Sequence, residues 1–472
     1  MPESRLNVSP YLHLEPHEVG SSAFHRVRGG LVLLDRQVTA LINRMPRSSP
    51  FAPADVASPE VPPDTCDRVC RSLAEFGFLV AADVNETEEI ERWLSDRCSP
   101  PSDGSRIGVL QLIVSNRCNL RCTYCFLQDA EYLQRRADPG HGENVVMTPE
   151  SAVAYSKEAI RFAASAGQRT LSIQFFGGEP LTNWAAVEAV LRTFGTSCDE
   201  VAIRYEIVTN GTLITEPIAR ALKEFRVDVI VSQDTPGRGH RPMRNGQSSS
   251  AAAAQGLRLL RRWSNKMALN ATLCDETYEE FDTQMVAYAF DHGVYSIGIL
   301  LALDTGFYSR HPTKEIVDKV WRICEAARRV GIGVTGYWDL PFRLLQGRDI
   351  LWRRPYKTCS ATGCQLSIEP SGAVFPCKAS PRRLGSVTAL DRVVHSPAYR
   401  TYLKREMRNA DACRGCPIEF FCSGLCPGQL DLEKGRVDTI VPDACRVYRE
   451  LVRRRIRSLD ESAVHVLRAT PS

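Results

Sequence analysis

Eleven of the seventeen cysteines in this 472-residue chain fall into two groups whose spacing can do chemistry. Cys118, Cys122 and Cys125 stand within eight residues in LQLIVSNRCNLRCTYCFLQ, directly after an apolar run that reads as a strand. Three thiolates suit a cubane 4Fe-4S cluster that keeps one iron open to a non-protein ligand. The competing chemistry is zinc, which normally takes four ligands, and the nearest downstream histidine, His141, lies sixteen residues past Cys125. Eight further cysteines read Cys359-x4-Cys364, Gly372-x4-Cys377, Cys413-x2-Cys416-x5-Cys422-x3-Cys426 and finally Cys445. This clustering marks a metal-rich module, for which a pair of zinc knuckles is one reading. The remaining Cys66, Cys70, Cys98, Cys198, Cys274 and Cys324 read as buried, inert thiols.

These residues must be positioned by strands and helices. Six Val- and Ile-rich runs, IGVLQLIV, TLSIQFF, VAIRYEIV, VDVIVS, KMALNATL and VYSIGILL, alternate with segments of helical period between about residues 107 and 330. Repeated βα units imply parallel strands with helices outside, chemistry at the carboxyl ends, and an open or partial (β/α)6 barrel. Thr148-Pro149-Glu150 predicts the start of the helix after the first strand. Before the barrel lie a hairpin, FHRVRGGLVLLD, helices around 36–45 and 64–76, and a closing GFLV, interrupted by the proline-rich SSPFAPADVASPEVPPD. After Cys445, RVYRELVRRRIRSL predicts a terminal helix with a solvated basic face. The expected division is 1–98, 99–350, 351–448 and a tail at 449–472. With 59 basic and 55 acidic residues, a net charge of +4 gives no reason to expect a nucleic-acid partner. No apolar run reaches membrane-span length and the start lacks a secretion signal, so a cytoplasmic location is expected.

C-x3-C-x2-C with Tyr124 before the last cysteine resembles the signature of the radical S-adenosylmethionine (SAM) superfamily. The resemblance implies that the open iron is chelated by the amino and carboxylate groups of S-adenosylmethionine, whose cleavage yields a 5′-deoxyadenosyl radical able to abstract hydrogen from an unactivated C–H bond. Gly177-Gly178-Glu179-Pro180 resembles the family's GGE element, which implies that Glu179 binds the methionine amino group. Thr209-Asn210-Gly211 and Ser232-Gln233-Asp234 resemble its ribose- and carboxylate-proximal elements, and Arg244 in RPMRNG matches an arginine that implies pairing with that carboxylate. The carboxyl-terminal cysteines resemble the SPASM extension, with twelve residues from Cys359 to Gly372. That resemblance implies a first auxiliary cluster on Cys359, Cys364, Cys377 and Cys426 and a second on Cys413, Cys416, Cys422 and Cys445, hence three 4Fe-4S clusters in all. Cys364 is the member that the seven-cysteine motif does not demand.

Enzymes of this kind act mainly on peptides, which implies a flavodoxin- or ferredoxin-like electron donor and a peptide partner. In the branch that matures sulfatases an aspartate commonly follows the cysteine of G-x4-C, whereas this chain has Lys378. The amino-terminal region resembles the winged-helix-like domain that grips leader peptides in maturases of ribosomally made peptides, where a leader can add as a strand to a sheet edge. The expected function is therefore a radical oxidoreductase that installs a cross-link or related modification in a precursor peptide. The alternatives are a sulfatase-maturing or small-molecule radical dehydrogenase, and a non-catalytic zinc-dependent binding protein.

Overall fold

A computed structural model describes residues 5–98 (96–98 by backbone alone), 103–128, 145–234, 236, 239–348, 359–403 and 413–469. Residues 99–102, His141, the side chain of Cys98 and the expected boundary at 350/351 lie outside the described residues. The chain opens with β1 (Leu6–Val8) and an antiparallel meander of β2 (Leu12–His17), β3 (Gly20–His25) and β4 (Gly29–Asp35). Helices Arg36–Arg44 and Pro63–Glu75 follow, and β5 (Leu79–Ala81) returns to pair antiparallel with β1. The proline-rich stretch between these helices is folded: Phe51 exchanges two backbone hydrogen bonds with Leu6, and Phe51, Val56 and Val61 are buried in the core of this region.

Helix Glu86–Cys98 leads into the main sheet, whose strands are β6 (Val109–Ser115), β7 (Thr170–Gly177), β8 (Ser197–Cys198), β9 (Val201–Thr209), β10 (Asp228–Ser232), β11 (Met267–Leu273), β12 (Ser296–Leu301), β13 (Gly333–Thr335), β14 (Gln365–Ile368), β15 (Ala373–Phe375) and β16 (Gly385–Ser386). The order is β13-β12-β11-β10-β9-β7-β6-β14-β15-β16, with β8 antiparallel to β9. All six expected strands are present and mutually parallel. Two more parallel strands, β13 and β14, extend the run beyond the expected six, and the hairpin β14-β15 of the cysteine-rich region is continuous with it. Alternation along the strands sorts side chains by face. Leu171, Ile173 and Phe175 of β7 and Ile203, Tyr205 and Ile207 of β9 pack in the core, leaving Gln174, Phe176 and Glu206 on the opposite face with Gln111 of β6. Helix Pro149–Ser165 starts where expected, with the Thr148 hydroxyl accepting from Ser151 N at 3.1 Å.

The carboxyl terminus carries the expected helix with an exposed basic face, Arg446, Arg449, Arg453 and Arg457, and packs its other side into the fold. One helix spans Pro442–Arg457, so the expected boundary at 448/449 falls inside it, and it buries Val447, Leu451, Val452 and Ile456. Its arginines meet acids from three other elements: Arg457 pairs with Glu15 at 2.6 Å, Arg454 with Asp318 at 2.6 Å and Arg455 with Asp339 at 3.0 Å. Beyond it β17 (His465–Leu467) adds parallel to the outer edge of β4. Asp35 serves both segments, capping helix Arg36–Arg44 through Val38 N (2.7 Å) and accepting from Ala469 N (2.9 Å). A shared core of Phe24 and Leu31, Ile90 and Leu94, Phe342 and Leu345, Phe420 and Phe421, and Val452 and Ile456 fastens the amino-terminal sheet to the end of the barrel and to the cysteine-rich region. Among the described residues no helix is long and apolar enough to cross a membrane.

Leu467 is 5% exposed and lies in the amino-terminal core. Leu467→Ala is therefore expected to cost about 2–5 kcal/mol locally, seen as faster hydrogen exchange in β3 and β4 with little change in the main sheet.

Candidate active site

The loop carrying Cys118, Cys122 and Cys125 follows β6, and backbone and side-chain hydrogen bonds fix it to the segments after three neighbouring strands. Gly178 N donates to Ser115 O and Glu179 N to Arg117 O, each at 2.8 Å, tying the loop to the turn after β7. A Cβ on Gly178 would stand 2.6 Å from Arg117 O and 2.7 Å from Asn116 O, and Gly177 has φ +152° with its Cβ position 2.0 Å from Ser115 O. Only glycine lets these two turns touch. After β9, the Asn210 amide donates to Asn119 Oδ1 at 2.9 Å while the Asn119 amide donates to Thr212 Oγ1 at 2.8 Å. From the segment after β10, the carbonyls of His240 and Pro242 accept from Thr123 N and Arg121 N. Burial pushes the Cys118 thiol up to about 12, with Glu179, Cys122 and Cys125 adding to the rise against the Leu120 N–H. Burial likewise takes Cys122 up to about 11, opposed by Arg241. In the metal-free fold these are protonated thiols, so cluster assembly must release protons.

Glu179 is 1% exposed. Its Oε1 accepts from Leu181 N (3.0 Å) and Thr209 Oγ1 (2.7 Å), and its Oε2 from Asn210 N (2.7 Å). A carboxylate has about four acceptor positions, so one remains on Oε2 for a further donor. That geometry, beside three thiols, fits an amino group held next to a cluster. Burial drives the Glu179 carboxyl up to about 7 against these three hydrogen bonds.

Asp234, which the sequence resemblance puts near the ribose and carboxylate, is 2% exposed and sits in a hydrogen-bond network. Its Oδ2 receives the Tyr124 hydroxyl and Arg241 Nε (2.8 Å), and its Oδ1 receives Arg241 Nη2 (3.3 Å) and Thr272 N (2.8 Å). The Asp234-Arg241 pair thus anchors Tyr124 and with it the cysteine loop. Arg244, the arginine singled out in the sequence, is exposed and donates from Nε to Cys118 O at 2.7 Å. Arg241 is the residue that sequence reasoning missed; it shares the RPMRNG segment with Arg244, and nothing local tells the two apart. Ser232 ends β10, partly exposed, in register with Asn270.

The structure brings the later cysteines together in two sets. Cys359 is forced upward by burial and then by Cys426, Cys377 and Cys364 around it. Cys364, the uncertain member, is 1% exposed and lies within this first set. Burial carries Cys445 up to about 12, and Cys422, Cys413 and Cys416 add to the shift. These four line one cavity with Ile418, Leu425, Val441 and Tyr448. An apolar cavity walled by four thiols fits a group with four thiolate ligands. Of the cysteines outside both sets, Cys66, Cys70, Cys274 and Cys324 are buried as expected, whereas Cys198, on the two-residue strand β8, is partly exposed.

Glu179 sets a pH dependence. Its carboxylate accepts above about pH 7 and becomes a carboxylic acid below it, so S-adenosylmethionine affinity is expected to weaken as pH falls through 7 and to level off above it. Calorimetry of the reconstituted protein between pH 6 and 8 measures this, and Glu179→Gln should bind more weakly and lose the pH step. Gly178→Ala should separate the two turns and lower cofactor affinity at least tenfold in the same assay.

The radical SAM superfamily model matches residues 112–283, and the SPASM iron-sulfur cluster-binding domain model matches residues 359–417. Radical SAM cyclopropyl synthase TigE of Paramaledivibacter caminithermalis is 36% identical over 435 residues, which cover 92% of this chain and 92% of that protein. Among solved structures, Streptococcus suis SuiB bound to S-adenosylmethionine matches 93% of this chain and 99% of its own with a TM-score of 0.54 at 14% identity. Native anSMEcpe with bound AdoMet matches 74% and 97% with a TM-score of 0.57 at 19% identity. The structural likenesses speak to the fold; the sequence match with TigE and the two domain models carry the assignment. With its three-cysteine loop on parallel strand ends and its two further cysteine sets, this chain belongs to the radical SAM superfamily and carries a SPASM iron-sulfur domain.

Proposed function

We propose that the chain is a peptide maturase that removes two hydrogens, net, from a ribosomally made precursor, one as an atom and the other as a proton with an electron that an iron-sulfur cluster would accept, and so closes a carbon–carbon bond of the cyclopropyl kind for which its relative is named. The observation that carries this reading is the 36% identity with TigE along 92% of both chains, which includes the amino-terminal region as well as the barrel. In this reading Cys118, Cys122 and Cys125 hold the cluster that binds S-adenosylmethionine, whose chemistry supplies the hydrogen abstraction. Glu179 accepts from the cofactor's amino group, Asn210 and Ser232 face its ribose, and Asp234 with Arg241 holds Tyr124 in place. Two further 4Fe-4S clusters occupy the Cys359, Cys364, Cys377 and Cys426 set and the Cys413, Cys416, Cys422 and Cys445 set. A flavodoxin- or ferredoxin-like protein supplies the electron. The amino-terminal sheet grips the leader. Since β17 covers β4, strand addition there uses the outer edge of β2, which no strand covers among the described residues.

Coexpression with a small precursor encoded beside the gene, followed by mass spectrometry and NMR of the peptide, tests the reading. A changed mass with cyclopropyl protons is expected. An unchanged peptide together with formylglycine in a coexpressed sulfatase would move the chain to the sulfatase-maturing branch. Anaerobically reconstituted protein should hold about twelve irons per chain, and replacing Cys118, Cys122 and Cys125 together with Ala should remove about four while the rest remain.

A further inference from the structure

Lys378 follows Cys377 directly, and its position joins the first auxiliary cysteine set to the radical site. Its backbone N–H donates to Gln111 Oε1 at 3.1 Å on the inner face of β6, and the Gln111 amide in turn donates to Gln174 of β7 at 3.3 Å. The side chain then runs across the strand ends. Nζ stands 3.3 Å from the centre of the Phe176 ring, the residue before Gly177, and 5.4 Å from that of Phe126, the residue after Cys125. Two aromatic faces hold an ammonium there by its charge, since the ring quadrupole attracts cations. Because Lys378 is bonded directly to Cys377, this seat keeps its ammonium within one side-chain length of the first auxiliary set. Cys364 of this set is 1% exposed, and burial dominates the upward shifts of Cys359 and Cys426. A charge in such a setting is only partly screened.

We propose that the Lys378 ammonium, held on Phe176 and Phe126 between the two cysteine groups, is a positioning charge that raises the reduction potential of the first auxiliary cluster. The inference rests on the reading that Cys359, Cys364, Cys377 and Cys426 hold a 4Fe-4S cluster. A cluster on four thiolates is an anion, one-electron reduction makes it more negative, and a nearby fixed cation stabilises the reduced form more than the oxidised one. Lys378 acts through the cluster and supplies no proton.

The test uses full-length protein in which Cys118, Cys122 and Cys125 are Ala, so that only auxiliary clusters give signals. An EPR-monitored redox titration then reads two midpoints. Lys378→Met and Lys378→Gln should each move one midpoint to more negative potential by about tenfold in the reduction equilibrium, about 59 mV for one electron. The other midpoint should stay in place, and Lys378→Arg should restore the first. If a neutral variant loses the iron of one cluster while Lys378→Arg retains it, the charge requirement is met in the same sense. Unchanged midpoints in both neutral variants, or an equal shift in Lys378→Arg, would overturn the proposal. Failure of the underlying reading would look different, as iron for a single auxiliary cluster in the Lys378 protein itself.

Discussion

The turns at the carboxyl ends of β6 and β7 meet backbone to backbone, and the turn after β9 is tied to both through the side chains of Asn119, Asn210 and Glu179. The contact of Gly178 with the carbonyls of Asn116 and Arg117 is where that meeting is closest. A side chain there would push the turn after β7 away from the cysteine loop, breaking the hydrogen bonds to Ser115 O and Arg117 O at the same time. Glu179 would move with them, and with it the carboxylate that Thr209 and Asn210 hold from the next strand. The loop is therefore rigid through its neighbours rather than through its own sequence, which is how a three-ligand site can keep one iron position open without collapsing.

The second constraint is mechanical continuity. Helix Pro442–Arg457 packs against the amino-terminal sheet, the barrel and the cysteine-rich region, and its arginines reach acids on β2, on helix Thr313–Arg329 and beside helix Leu340–Gln346. Glu15 and Asp339 are buried while their arginines reach solvent, so the buried apolar face of the helix and these ion pairs fasten it together. Because β17 continues from this helix into the amino-terminal sheet, the region that would grip a substrate leader is built partly from the far end of the chain. The first 98 residues are not a detachable module, and removing them would bare Phe342, Leu345, Phe421, Val452 and Ile456.

Burial acts in one direction on the site's ionisable groups. It raises Cys118, Cys122, Cys445 and Glu179 alike, because each carries its charge in the deprotonated form. The metal-free protein thus holds these groups closer to neutral, and the positive charge of iron and of the bound cofactor is what ionises them. Arg241 is the permanent counter-charge near the radical site, buried against Asp234, and Lys378 is the one beside the first auxiliary set.

By itself the sequence determined whatever depends on neighbours along the chain. The position of Cys118, Cys122 and Cys125 in a loop after an apolar run, the alternation of β7 and β9 and the Thr148 cap are all local patterns, and the structure shows the strand, the alternation and the cap where those patterns put them. Tertiary structure decided the partners. Arg241 and Arg244 lie three positions apart in one segment with the same local signal, and only the path of that segment across β10 and β11 puts Arg241 on Asp234. The basic run after Cys445 reads as a solvated face, and only the packed fold brings Glu15, Asp318 and Asp339 to it from elsewhere. A three-residue strand such as β17 carries no pairing signal of its own, and the bond from Ala469 to Asp35 closes a separation of 434 residues. Caps, turns and side-chain alternation are satisfied within a few residues, whereas a buried charge or a sheet edge takes its partner from whichever element the packed core brings alongside.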